Sequence, residues 1–200
     1  MDTKQQIISV AFELFINNGY ERTSLTDIAK QIGITKPAIY YHFENKETLF
    51  LAVVNGFLTE LEKSTLAIIE ADASIQEMLR MMFGMLSDVK GTMAALTGAS
   101  GSNSLEFHTY MLMFEGIKLF PEVRLRIDTF YTQFINMMTE KIKAAQANGE
   151  IRPDLHPEAF AFQLSAVMEG AFLMSIFNTT TDLGTMSQQM FENTWLGIAS

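Results

Sequence analysis

The sequence predicts an all-α fold: a compact set of short N-terminal helices followed by a larger helical body. Three observations predict it. Apolar residues recur at helical spacing along the chain, with no convincing alternating stretch of the kind a half-buried strand needs. Prolines are few, four in all, and three of them stand where helices plausibly begin. The chain has 200 residues, 48% of them hydrophobic, which suits one domain or a small domain joined to a larger one with a packed core.

The N-terminal elements follow in order. A first helix is expected from about Thr3 to Asn18, with Thr3 and Gln6 spaced as a capping box. Ile7, Ile8, Ala11, Phe12 and Phe15 share one face of it, and Asn18-Gly19 supplies a residue free to take positive φ at its end. A short second helix starts at an S-x-x-D box, Ser24 with Asp27. Its inward stripe is Leu25, Ile28, Ala29 and Ile32, and Gly33 stops it. Thr35 caps a third helix, with Pro37 in the first turn, where a missing N–H is tolerated. Asn45 caps a fourth, whose face reads Leu49, Phe50, Val53, Val54, Phe57, Leu58 and Leu61.

Longer helices follow. One is expected over about Ser74 to Val89. Lys90 to Ser104, "KGTMAALTGASGSNS", reads as a flexible connector. Further helices are expected over about Leu105 to Leu119, Pro121 to Asn148 (closed by Gly149), Pro157 to Phe177 (capped by His156 or Asp154) and Thr185 to Ile198.

Composition excludes several functions. There is no cysteine, so disulfides, thiolate catalysis and Cys-based zinc sites are ruled out. The N-terminus lacks the continuous apolar run of a signal peptide. In the most apolar stretch, Ala159 to Phe177, Gln163, Ser165 and Glu169 interrupt the run, and a mid-membrane carboxylate would cost about 3 kcal/mol or more. A soluble buried helix is the expectation there, with no membrane partner. Taken over the whole chain, the net charge of -9 speaks against nucleic acid. Residues 1–50, however, carry five Lys/Arg against six Asp/Glu, a net of -1, and residues 51–200 carry nine against seventeen, a net of -8. Most of the acid lies outside the N-terminal quarter, and a contact surface is decided by local placement.

The second and third helices are spaced as a helix-turn-helix. Ala29 is small, Gly33 lies four residues on, and Ile39 six further. Two short helices crossing steeply need a small residue at the contact, a glycine in the turn and a branched apolar residue on the second helix. In that motif the second helix enters the DNA major groove. Ile39 and Phe43 are four apart and face inward. Lys36, Ala38, Tyr41 and His42 are left facing out, with Tyr40 between the two faces. Exposed Tyr and His flanked by Lys suit phosphate and base-edge contacts. Lys46 opens the fourth helix, where a lysine is slightly unfavourable for the helix itself and an anion is favoured.

The stretch "YERTSLTDIAKQIGITKPAIYYHFENKETLF", with the phenylalanine and glycine of "ELFINNGY", closely resembles the TetR family of bacterial transcription regulators over about the first 50 residues. Beyond them the resemblance is architectural, with "NGEIRPDLHPE" and "MEGAF" at corresponding places. It implies a helix-turn-helix DNA-binding domain over residues 1–48 and a helical ligand-binding and dimerisation domain over residues 49–200. It implies a cytoplasmic homodimer on a palindromic operator, normally a repressor, released by a small molecule. Carried over by position, the DNA contacts are Thr26, Thr35, Lys36, Ala38, Tyr40, Tyr41, His42 and Lys46. Pro37 departs from the glycine or small polar residue usual in the family, which leaves readout mainly to Lys36, Ala38 and Tyr41. The last two helices would form the dimer interface, through Val167, Gly170, Met174, Phe191 and Trp195.

The chain carries 14 Met and 16 Phe, mostly core filling, yet methionine also suits adaptable cavities. Packed as in the family, Phe107, His108, Tyr110, Met111, Phe114, Tyr131, Phe134 and Met138 would line a pocket for a hydrophobic or aromatic effector, with Glu169 as a further candidate. Glu169 reads more simply as a hydrogen-bonding group at an interface or helix end. No cofactor or metal is expected. "GASGS" fails as a nucleophile elbow, because Ser102 stands where the last glycine is required and no strand precedes it. Neither G-x-G-x-x-G nor H-E-x-x-H occurs, so an enzyme is not expected. The alternative is an architectural or protein-regulated DNA-binding factor of the same fold, without a small ligand.

Overall fold

The computed structural model describes residues 2–87, 91, 105–177, 180 and 182–200. Among them are nine α-helices: α1 (Thr3–Asn18), α2 (Leu25–Ile32), α3 (Lys36–His42), α4 (Lys46–Glu70), α5 (Ile75–Gly84), α6 (Leu105–Leu119), α7 (Pro121–Ala147), α8 (Pro157–Phe177) and α9 (Leu183–Ile198). The described residues form no strand beyond an isolated antiparallel bridge between Ile151 and Ala199. The all-α expectation holds.

Capping chemistry sets most of the boundaries. At α2 the box is complete: the Ser24 hydroxyl accepts from the Asp27 N–H, and the Asp27 carboxylate accepts from the Ser24 N–H at 3.0 Å. Asn45 and Thr48 cap α4 reciprocally, with the Thr48 N–H donating to Asn45 Oδ1 at 2.8 Å. At α8, His156 Nδ1 accepts from the Ala159 N–H at 3.3 Å. Three expectations change. The cap of α1 is Asp2, without a side-chain bond, so Thr3 and Gln6 form no box. Asp182 starts α9 two residues early by accepting from the Gly184 N–H and the Thr185 hydroxyl. The helix expected to reach Val89 ends at Gly84 and continues as a turn through Ser87. Val89 and, apart from Gly91, the connector Lys90–Ser104 lie outside the described residues.

Two compact units result, Met1–Leu61 with Met93–Ile127 and Glu62–Thr92 with Asp128–Ser200. In the first, Ile7, Ala11, Phe12 and Phe15 of α1 are buried with Ile28 and Ala29 of α2, Ile39 of α3 and Leu49, Phe50, Val53 and Val54 of α4. Phe15, Tyr20, Phe50 and Phe120 form an aromatic nest with centroids 4.8–6.0 Å apart. Edge-on ring contacts of this kind add to plain area burial. Arg126 donates to the Asn55 carbonyl, the Asn55 side chain and the Thr59 hydroxyl, fixing the start of α7 to α4. The second unit has its own core, built on Met78, Leu79 and Phe83 of α5, Phe134, Met138 and Ile142 of α7, Phe160 and Leu164 of α8 and Phe191 of α9.

Candidate nucleic-acid interface

The turn between α2 and α3 is built by the backbone. Gly33 sits in the left-handed region at φ 81°. Its N–H donates to the Ala29 and Lys30 carbonyls, and the Ile34 N–H donates to the Ala29 carbonyl at 3.0 Å. This is a Schellman closure, which satisfies the last carbonyls of α2 and turns the chain at once into Thr35. A side chain at Gly33 would meet open space, so the backbone angle alone favours glycine there.

α3 then presents two faces. Ile39 and Phe43 are buried against α1 and α2, whereas Thr35, Lys36, Tyr40 and Tyr41 are exposed. Tyr41 keeps 86% of its surface in solvent, an unusual state for a large aromatic ring. His42 stands edge-on to it, with ring centroids 5.0 Å apart. The Lys36 ammonium lies 5.7 Å from the Tyr40 ring, which keeps its charge over the helix surface. Ala38 is half-buried, and Thr26 is exposed near the start of α2. The face therefore joins one full cation, two phenol hydroxyls, an imidazole and two threonine hydroxyls, groups that donate to phosphate oxygens and base edges.

Lys46 opens α4 and also bonds within the chain. Its Nζ donates to the Tyr20 carbonyl at 2.9 Å and lies 4.1 Å above the Tyr20 ring. One of its three N–H donors is engaged within the chain, and two remain for an outside acceptor. Burial, followed by the carboxylates of Glu47, Glu21 and Glu115, pushes the Tyr20 phenol up from its ordinary pKa.

The residues expected around an effector divide between the units. Phe107, His108, Tyr110, Met111 and Phe114 belong to the first and Tyr131, Phe134, Met138 and Glu169 to the second. Phe107, Met111 and Phe114 form an exposed stripe on α6. His108 has a buried Nδ1 with no hydrogen-bond partner among the described residues. Phe134 and Met138 are closed into their own core. The Tyr131 hydroxyl donates to Glu169 Oε1 at 2.5 Å; burial first, and then the Glu169 carboxylate, raise the Tyr131 pKa far above its ordinary value.

The expected dimer residues also separate. Gly170 and Met174 lie on the outer face of α8 together with Phe162, Ala166 and Phe177, at intervals of three and four residues. Met174 is 56% exposed, Phe162 63% and Phe177 75%. Phe191, by contrast, is 7% exposed and packs on Phe83, with the Arg80 guanidinium 4.9 Å from its ring. Val167 and Trp195 also pack against that core. Phe191 therefore faces its own core, whereas Val167 and Trp195 pack against that core and stay partly exposed.

Two family models match the chain. "Bacterial regulatory proteins, tetR family" covers residues 7–53, and "Tetracyclin repressor-like, C-terminal domain" covers residues 111–190. The chain belongs to the TetR family. Similar proteins include the nucleoid occlusion factor SlmA of Mannheimia succiniciproducens, 26% identical over 97% of this chain and 84% of that protein. The HTH-type transcriptional regulator QacR of Staphylococcus aureus is 47% identical over 55 residues, 28% of this chain and 29% of that one. A TetR-family regulator from Cytophaga hutchinsonii has a similar structure, with a TM-score of 0.75 and 25% identity, over 98% of this chain and 94% of that one.

The chain is thus a TetR-family transcriptional regulator with a helix-turn-helix domain. Sequence reading overlooked Tyr20, Glu115 and Arg126. Glu115 accepts the Tyr20 N–H across 95 positions of sequence at 2.9 Å. Its only sequence signal is a carboxylate beside a glycine, the pair interrupting the apolar run from Tyr110 to Ile117.

Proposed function

We propose that this chain is a cytoplasmic, homodimeric repressor that binds a palindromic duplex operator through residues 1–48 and responds to a hydrophobic or aromatic small molecule through residues 49–200. The DNA contacts are Thr26, Thr35, Lys36, Ala38, Tyr40, Tyr41, His42 and Lys46. The observation that carries this reading is Tyr41: a large ring held in solvent on a helix whose other face is fully anchored. Nothing in the chain's own packing calls for an aromatic residue there, and a stacking or hydrogen-bonding polymer does. The outer face of α8 supports dimerisation, since Phe162, Gly170, Met174 and Phe177 leave an apolar strip uncovered. By length and composition alone Pro157–Phe177 could cross a membrane. Gln163, Ser165 and Glu169 within that run favour a second protein copy instead.

Release requires an effector that prefers the DNA-incompetent state, because only differential affinity shifts the population. Selecting duplexes from a random library with the purified protein tests the reading. It predicts enrichment of a two-fold symmetric sequence, and hydrophobic compounds that abolish binding to it. Failure to enrich any duplex would remove DNA binding. A second reading is favoured by the likeness to the nucleoid occlusion factor: an architectural or protein-regulated DNA-binding factor of the same fold with no small-molecule ligand. Enrichment of a duplex whose affinity no small molecule changes would favour it.

A further inference from the structure

We propose that Glu115 is a positioning residue for DNA binding, tying α6 to the turn between α1 and α2 and, through Tyr20, to Lys46. The inference rests on the DNA-binding reading above and adds a route by which α6 sets the DNA surface.

The geometry is continuous within the first unit. Glu115 Oε2 accepts the Tyr20 N–H at 2.9 Å. Both Glu115 oxygens lie 3.7 Å from the point where a side chain at Gly19 would begin, and Gly19 has φ 82°. The carboxylate thus sits over a turn that only a glycine forms without strain. On the other side of the same residue, the Tyr20 carbonyl accepts from Lys46 Nζ at 2.9 Å and from the Thr23 N–H at 3.3 Å. The Tyr20 ring rests on Phe50 and Phe120 and beneath the Lys46 ammonium. One residue therefore joins three elements: α6 by its N–H, the start of α4 by its carbonyl, and the aromatic nest by its ring.

Gly116 lets α6 approach closely enough for this. A side chain there would come within 3.2 Å of Val123 Cγ1 and 3.7 Å of Phe50 Cε1. Eight residues before Glu115, at the other end of the helix, stands Phe107, the first residue of the exposed Phe107–Met111–Phe114 stripe. An α-helix is stiff over the intervening distance of about 12 Å. Displacement of the stripe moves Glu115 with it, which pulls on the turn and frees or reorients Lys46.

The test uses the full chain and fluorescence anisotropy with a selected duplex. Glu115→Ala is expected to weaken binding about tenfold, and Glu115→Gln less than about threefold, because the amide oxygen still accepts the Tyr20 N–H. Glu115→Asp keeps the charge but shortens the reach by one methylene. It is expected to lose nearly as much as Glu115→Ala, and its comparison with Glu115→Gln decides the matter should the alanine variant not fold. In a Lys46→Ala background, Glu115→Ala should cost less than about twofold further, since the two act in series. Equal losses for the glutamine and aspartate variants, or losses that multiply in the double variant, would overturn the proposal. Amide hydrogen exchange gives a readout that needs no DNA: Tyr20 and Thr23 should exchange faster in Glu115→Ala. Unchanged Thr23 exchange would sink the tie. Faster exchange in a protein that binds no duplex would support the tie and reject the DNA-binding reading.

Discussion

α3 and α8 both expose large apolar side chains, yet the two exposures differ in kind. On α3, Tyr40 and Tyr41 carry hydroxyls and stand beside Lys36 and His42. On α8, Phe162, Met174 and Phe177 have no polar atom on their exposed side chains. An exposed ring among donors suits a charged, hydrated partner, whereas a bare strip suits another bare strip. The difference teaches that exposure alone names no partner and that the neighbours of the exposed group do. It also separates two outwardly similar positions: Met174 belongs to the strip, and Phe191 belongs to the core.

The sharpest way to break that comparison is a matched pair of substitutions. Phe191→Ala should destabilise the fold by about 3–5 kcal/mol, because it removes a ring from a closed core. Thermal denaturation reads this, and the folded fraction should stay dimeric. Met174→Glu should leave each chain folded and weaken association by roughly 100-fold or more, because it buries paired carboxylates in an apolar contact. Analytical sedimentation would show monomers. If instead the first variant separates the dimer while the second leaves it intact, the assignment of the two faces is reversed.

On α3, Tyr41→Ala should weaken DNA binding about tenfold and shift stability by no more than about 0.5 kcal/mol, as expected for a surface position. Loss of melting temperature without loss of affinity would return Tyr41 to the fold. Lys46→Ala should lower the log–log salt slope of binding by about 1. An unchanged slope means that Lys46 serves only Tyr20.

The smallest expected effect is a pH dependence at the cap of α2. Bonds from the Ser24 hydroxyl and then the Ser24 N–H hold the Asp27 carboxyl below its ordinary pKa. A carboxylate depressed in the folded state stabilises the fold above its unfolded pKa, and the contribution is lost as pH falls through the folded value. Asp27→Asn should therefore lower the melting temperature slightly at neutral pH. The two proteins should begin to converge as pH falls through the ordinary aspartate range, and meet below the depressed folded value. A difference that persists in acid would assign the effect to shape rather than charge.

Local chemistry was legible in the sequence where it decides structure locally. Ser24 with Asp27, Gly33 and Asn45 mark the two ends of α2 and the start of α4 because each caps or turns its own few residues, while Thr35 before Pro37 starts α3 without a side-chain bond. The inward and outward sides of α3 followed from the spacing of Ile39 and Phe43. The orientation of α8 and α9 was not legible. When apolar residues surround a helix, periodicity does not say which side meets its own core, and so the burial of Phe191 is not evident from its spacing. Glu115 and Arg126 were missed for another reason. Their partners, Tyr20, Asn55 and Thr59, lie 67–95 positions away, and no short-range pattern encodes such a meeting.

The uncovered strip of α8 also bears on the protein before it ever meets DNA. In the proposed dimer, a newly made chain would display Phe162, Met174 and Phe177 until a second copy covers them. Surfaces of this kind are what chaperones and proteases recognise. Solitary chains are then cleared faster than paired ones, and pairing depends on the square of concentration. The steady-state amount of regulator should rise more steeply than its rate of synthesis, so that halving the gene dose removes more than half of the protein.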